Sequence, residues 1–189
     1  MNEIYRDETW ERDTHSCGSF ERPSHWPERK PLVSVIAWTL MSNHFHLLLK
    51  EEREGGVSTF MQRLCGSMTK HYNAKYSERG SLFQGAYHSK TIEDDAYMRY
   101  VPAYIMTKNV FEMHPKGYAF AEKNFNEAWQ WAMQYPWSSL RYYAGQKQYG
   151  AELSPDILAE LYSPESFRNF SKEVIVGRAK LPDYLITDV

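Results

Sequence analysis

The stretch that most constrains this chain is Trp38-Thr39-Leu40-Met41-Ser42-Asn43-His44-Phe45-His46-Leu47-Leu48-Leu49. After a polar turn, two histidines flank one phenylalanine in a run that alternates like a β-strand. Strand side chains alternate between faces, so His44 and His46 share one face. Phe45, Leu47 and Leu49 share the other, where they are expected to pack into a core. Two imidazoles side by side on a rigid sheet make half of a divalent-metal site. A histidine pair on a solvated sheet face is the plainer account, and the strand alone does not choose between them.

A chain of 189 residues suits one domain with a small appended part. Its net charge of −2 excludes a protein that grips nucleic acid through overall charge, so any such contact must come from a local patch. Cys17 and Cys65 lie far apart with neither redox nor metal spacing, and read as free thiols in a reducing compartment. No apolar run approaches the ~20 residues of a bilayer-spanning helix, and the polar N-terminus is not a signal peptide. The expectation is a cytoplasmic protein with no membrane partner.

Residues 1–30 read as a polar arm with a short helix near Asp7–Arg12 and loop elsewhere. Val33–Trp38 is β-branched and aromatic, hence a strand, and with the His44–Leu49 strand it forms a hairpin across Met41-Ser42-Asn43. Val57, Phe60, Met61, Leu64, Met68 and Tyr72 recur at helical spacing through about Tyr76. The opposite face carries Arg63, Lys70 and Lys75, with Arg79 just beyond: either a solvated face or a stripe that tracks nucleic-acid phosphates. A glycine-punctuated loop, Arg79–Gly85, leads into a predicted strand at Ala86–Ile92. Glu93-Asp94-Asp95 then begins a helix, its carboxylates suited to the first turn. Pro102 interrupts that helix by kinking or restarting it. An aromatic-rich helix is expected over residues 121–134, and one or two short helices over 154–175, capped by Ser154 and Ser163. His88 reads as a surface histidine, and His114, before Pro115, as a helix-end residue.

These parts suit phosphoryl transfer. A metal on His44 and His46 would act as a Lewis acid on a phosphate, and a helix tyrosine would supply an oxygen nucleophile. At this point the chain resembles the single-tyrosine transposases of single-stranded DNA, in particular the REP-associated tyrosine transposases. The resemblance rests on five segments in family order: Met41–Leu49 with its His-hydrophobic-His motif, Gly80–Gly85, Glu93–Tyr97, Tyr104-Ile105, and Tyr135-Pro136-Trp137-Ser138-Ser139. It runs from about Pro31 to Gly145.

The resemblance implies an α+β fold, an antiparallel sheet of four or five strands backed by helices (ferredoxin-like or RRM-like), with a helical C-terminal extension. The domain plan it suggests is an arm at 1–30, a catalytic domain at 31–145 and the extension at 146–189. Family members usually open with an edge strand, which residues 1–30 do not offer, so the start reads as truncated. The resemblance further implies that His44 and His46 bind Mg2+ or Mn2+ and that Tyr104 is the nucleophile, whereas Tyr97 falls on a position that packs. Four residues after the tyrosine the family usually has an asparagine or glutamine that completes the metal shell. Here Lys108 stands there and Asn109 follows, so both are candidate metal or phosphate contacts. A protonated lysine has no lone pair for a cation. Asn109 turning inward through a local bulge, water filling the site, or Lys108 meeting phosphate directly are the three solutions.

The implied function is a strand-transferase that cuts and rejoins hairpin-bearing single-stranded DNA through a 5′-phosphotyrosine, working as a homodimer. The alternatives are a nucleic-acid-binding module of the same fold that has lost catalysis, and a metal-dependent hydrolase that uses water as nucleophile.

Overall fold

In a computed structural model of the chain, the residues described are 10–11, 16–17, 28, 30–144, 153–154 and 156–179. In the arm, β1 (Trp10–Glu11) and β2 (Ser16–Cys17) pair antiparallel, with Trp10 opposite Cys17. The helix expected near residues 7–12 is therefore not formed at Trp10 and Glu11. So short a helix has little to offset the cost of nucleation, whereas the ribbon supplies backbone partners directly. The remainder of that expectation, and most of the arm, lie outside the described residues.

The chain divides into two compact units, residues 1–34 with 51–90, and residues 35–50 with 91–189. The first is built on α1 (Gly56–Tyr76), with Leu32, Val33, Phe60 and Met61 buried. A β-carbon on Gly56 would stand 2.2 Å from the Leu32 carbonyl oxygen, so only glycine lets the helix start this close to the chain before it. Gly55 before it has φ 70°, the left-handed region that favours glycine. The Glu51 carboxylate accepts from the Val57 N–H and Ser34 Oγ donates to Glu52 across 2.6 Å, which fixes the entry to α1. Residues 86–92, expected as a strand, have no regular structure, and all but Ile92 are exposed. Their alternation has no buried face to serve, and alternation without burial does not hold a strand.

The second unit holds most of the hairpin of β3 (Val33–Leu40) and β4 (Phe45–Glu51), closed by Met41 N–H donating to His44 O across 2.8 Å. A two-stranded antiparallel sheet replaces the four or five strands the resemblance implied; further partners of β3 among the described residues are isolated bridges. Thr39 pairs with Ser138 and Val35 with Leu153. The Tyr-Pro-Trp-Ser-Ser segment thereby acquires a structural task. Leu40 N–H donates to Trp137 O, Ser139 N–H to Trp38 O, and Tyr135 Oη to Leu40 O, at 2.8–3.0 Å.

Helices cover this sheet. α2 (Asp95–Ala103), capped by the Asp94 carboxylate on Ala96 N–H and Tyr97 N–H, runs without a break into a wide turn at Tyr104–Lys108 and then α3 (Asn109–Glu112). After it come α4 (Tyr118–Lys123), α5 (Phe125–Ala132) and α6 (Leu140–Tyr143). The helix expected over 121–134 is thus two, parted at Asn124. Finally α7 (Asp156–Leu161) and α8 (Pro164–Ile175) form the helical C-terminal part, with Ser163 Oγ accepting from Ser166 N–H as the cap of α8. The core joins Ile36, Ala37 and Leu48 of the hairpin to Met106, Phe111, Trp129, Phe167 and Ile175. The fold is α+β, with α8 packed into the same core as the hairpin.

Candidate active site

The site begins with an inversion of the expected strand faces. On β4, Phe45, Leu47 and Leu49 are only half-buried, while Leu48, on the histidine face, is 6% exposed and part of the core. The helix layer lies over the histidine face, so that face grades from exposed His44 through half-buried His46 to buried Leu48.

The two imidazoles meet edge to face with centroids 5.0 Å apart. Nδ1 of His44 lies 2.7 Å from the Asn43 side-chain oxygen, which can only accept. Nδ1 therefore carries the proton, and in the neutral ring Nε2 keeps its lone pair for an outside partner, the orientation that metal-ligating histidines use. Burial, then His44, lowers the pKa of His46 from 6.5; Glu112 opposes this and Lys108 adds to it. The ring is neutral at pH 7, as a ligand must be.

Opposite stands the wide turn. Asn109 N–H donates to Tyr104 O, five residues back rather than four, so the helix dilates into one π turn. Pro102 precedes it by two residues and supplies no N–H to the ladder, yet the helix runs through it into the wide turn without a restart. Two side chains secure the turn. Thr39 Oγ1 donates to Ile105 O across 2.7 Å, and Thr107 Oγ1 to Ser171 Oγ of α8 across 3.2 Å.

The turn brings the Tyr104 ring edge-on to His46, centroids 5.9 Å apart. Lys108 Nζ lies 4.9 Å from the Tyr104 centroid and 5.9 Å from that of Tyr118, and pairs with Glu112 Oε1 at 2.7 Å. Burial pulls the Lys108 pKa down, but the Glu112 hydrogen bond and charge outweigh it, so the ammonium is held above its ordinary value. Tyr100 stacks on Tyr104 at 6.3 Å. Burial, with the field of Tyr104, raises the phenol pKa of both Tyr97 and Tyr100; Lys108 opposes this at Tyr100.

The predicted residues His44, His46, Tyr104 and Lys108 thus come together in one unit. Asn109 is carried inward, 1% exposed, with no partner for its Nδ2 among the described residues. Arg63, Lys70, Lys75 and Arg79 belong to the other unit. His114 does end a helix but is buried, stacked on Phe120 at 5.3 Å and edge-on to Trp131 at 4.9 Å. Sequence reasoning missed Asn43 as the partner of His44 and Glu112 as that of Lys108. The second was detectable as an i, i+4 opposite-charge pair.

Residues 27–108 match the family model described as Transposase IS200 like, a span that holds the histidine pair and ends four residues past Tyr104. Over those residues the chain is similar to the IS200-like transposase family. No curated protein and no solved structure matches the chain. Among the described residues no cluster of three or more His, Cys, Asp or Glu could hold a metal. The histidine pair therefore offers a cation two imidazoles, a set that fits a divalent ion whose other ligands come from water or substrate. None of the chain's helices among the described residues is long and apolar enough to cross a membrane.

Proposed function

We propose that this protein is a transposase, one that cuts and rejoins hairpin-bearing single-stranded DNA through a 5′-phosphotyrosine on Tyr104, with His44 and His46 holding Mg2+ or Mn2+. The observation that carries the reading is the Tyr104 ring standing edge-on to His46 at 5.9 Å, inside one compact unit. The phenolic oxygen forms a bond to phosphorus and gives its proton to solvent. The bond from phosphorus to the 3′ oxygen breaks, and that oxygen leaves as a hydroxyl after taking up a proton. A 3′ hydroxyl attacking the phosphotyrosine reverses the step, so no outside energy source is needed. When bound, the divalent ion would supply Lewis-acid stabilisation of phosphate charge.

The chain's own residues prepare this. Asn43 orients His44; burial keeps His46 neutral; the π turn presents Tyr104. Of the three solutions to the missing amide ligand, the Lys108–Glu112 pair favours Lys108 meeting a phosphate oxygen, because a protonated lysine suits an anion. The homodimer carried by the resemblance is part of the proposal and is checked by sedimentation.

The test is to incubate the protein with hairpin-bearing oligonucleotides and Mn2+ and resolve the products under denaturing conditions. A covalent protein–DNA adduct is expected in the wild type and absent in Tyr104→Phe. Binding with no adduct in the wild type would leave the nucleic-acid-binding module. Cleavage that survives Tyr104→Phe would assign the attack to water.

A further inference from the structure

The C-terminal half of α1 is unlike the rest of the surface. Tyr72 and Tyr76 are 40% and 54% exposed, although they lie one turn apart on a helix whose N-terminal half is packed. Their rings stand 4.7 Å apart, tilted by 47°, and Lys75 Nζ lies 5.1 Å from the Tyr76 centroid. The backbone beyond is pinned. Ser77 is left-handed at φ 56°, and Asn73 O accepts from the Ser77 and Glu78 N–H groups. The Asn73 side-chain amide donates to Gly80 O across 2.9 Å, which fixes the turn that carries Arg79.

Charge is segregated here as well. Between Glu54 and Glu93 the chain carries five lysines and arginines against one acid, Glu78, in a protein of net charge −2. Lys70, Lys75 and Arg79 are exposed and form no ion pair among the described residues. Exposed aromatic faces beside unpaired cations match one chemistry in particular. Unpaired bases stack on rings whatever their sequence, while the cations track the backbone.

We infer that Tyr72 and Tyr76, with Lys75 beside the Tyr76 ring and Arg79 on the turn that follows, form a stacking platform for unpaired nucleotides at the end of α1. This deepens the nucleic-acid reading above and rests on it. The earlier choice between a solvated face and a phosphate-tracking stripe falls to the second, with the tyrosines as the part that sequence spacing had assigned to the packed face. A duplex, whose bases are stacked on one another, offers the platform nothing but phosphate.

The experiment measures binding of the full chain to oligothymidylate, to an abasic oligonucleotide of equal length, and to a duplex, over a range of salt. The wild type is expected to prefer oligothymidylate to the abasic strand about tenfold, the scale of one or two stacked bases. Tyr72→Ala with Tyr76→Ala should erase that preference and leave the salt slope unchanged. Lys75→Ala and Arg79→Ala together should lower the salt slope and keep the preference. Circular dichroism checks that each variant folds, which these exposed positions favour. Equal wild-type affinity for thymidylate and abasic strands overturns the platform while sparing the nucleic-acid reading; no binding to any strand overturns both. Concentration-dependent self-association lost in the tyrosine variant, with the base preference intact, assigns the tyrosines to a second copy and also overturns the platform.

Discussion

Lys108 and Glu112 form an exposed i, i+4 pair of the kind worth under ~1 kcal/mol to folding, yet in the proposed reaction their place beside Tyr104 would give them a larger part. A charge-assisted hydrogen bond contributes about 1.5–3 kcal/mol where it is used. Lys108→Met is therefore expected to slow adduct formation about thirtyfold with little change in the urea midpoint. Lys108→Arg, which keeps the charge, should recover part of the rate. Asn109 makes the opposite expectation. An unpaired buried donor costs about 1–3 kcal/mol, so Asn109→Leu, which keeps the branched shape and removes the donor, should raise unfolding free energy by at most about 1 kcal/mol in urea titrations, its larger volume acting against the gain. For His46 the sign runs with its lowered pKa. Above pH 6.5 the ring is neutral both folded and unfolded; below it the unfolded chain takes up the proton first. Metal-free protein should lose stability as pH falls from 6.5 through the lowered folded value, and His46→Gln should flatten that part of the curve.

At the scale of elements, the π turn is clamped from two sides, by Thr39 of β3 and Ser171 of α8. Thr39→Val removes the hydroxyl that donates to Ile105 O and leaves the shape unchanged. It is expected to cost about 1–2 kcal/mol in urea and to lower adduct yield more than that loss alone explains, because it also frees Tyr104. The hairpin and α1 were legible in the sequence because β-branched alternation and 3.6-residue spacing each recur over several turns or pairs. The faces of β4 were not. Alternation shows which side chains share a face, but which face is covered depends on the helices, and those come from residues far along the chain. The strand expected at 86–92 failed for the same reason from the other side, since no layer covers it. The Lys108–Glu112 pair stands at a legible i, i+4 spacing, but its place beside Tyr104 depends on a turn of unusual width that no periodicity announces.

For the molecule as a whole, the C-terminal helices are structural members of the unit that holds the site. Phe167 is 3% exposed, faces Trp129 at 6.5 Å, and lies four residues before Ser171 on α8. Phe167→Ala should cost about 3–5 kcal/mol, read as a lowered denaturation midpoint. Charge asymmetry also works at this scale: a chain with a negative total sets five of its 22 lysines and arginines against a single acid in the reach between Glu54 and Glu93. The family motifs made Tyr104 and the histidines findable from sequence, since each motif names a residue type at a known order along the chain. They did not reach the supports Asn43, Thr39 and Ser171, because these hydrogen bonds leave no pattern at fixed spacing.

A π turn is also a statement about length. It holds one residue more than an α-helix needs to cover the same rise, so the segment from Asp95 to Glu112 carries a surplus of one. Omitting Lys108 would let the ladder close with ordinary spacing and keep Val110 and Phe111 in their buried seats. The sequence would then read Tyr-Ile-Met-Thr-Asn, with an amide at the fourth position after the tyrosine, where the family usually has one. On this view the lysine did not replace the asparagine; it was added in front of it. Deletion of Lys108 should thus fold with near-normal stability and retain more Mn2+-dependent adduct than Lys108→Met, which changes the side chain and keeps the surplus.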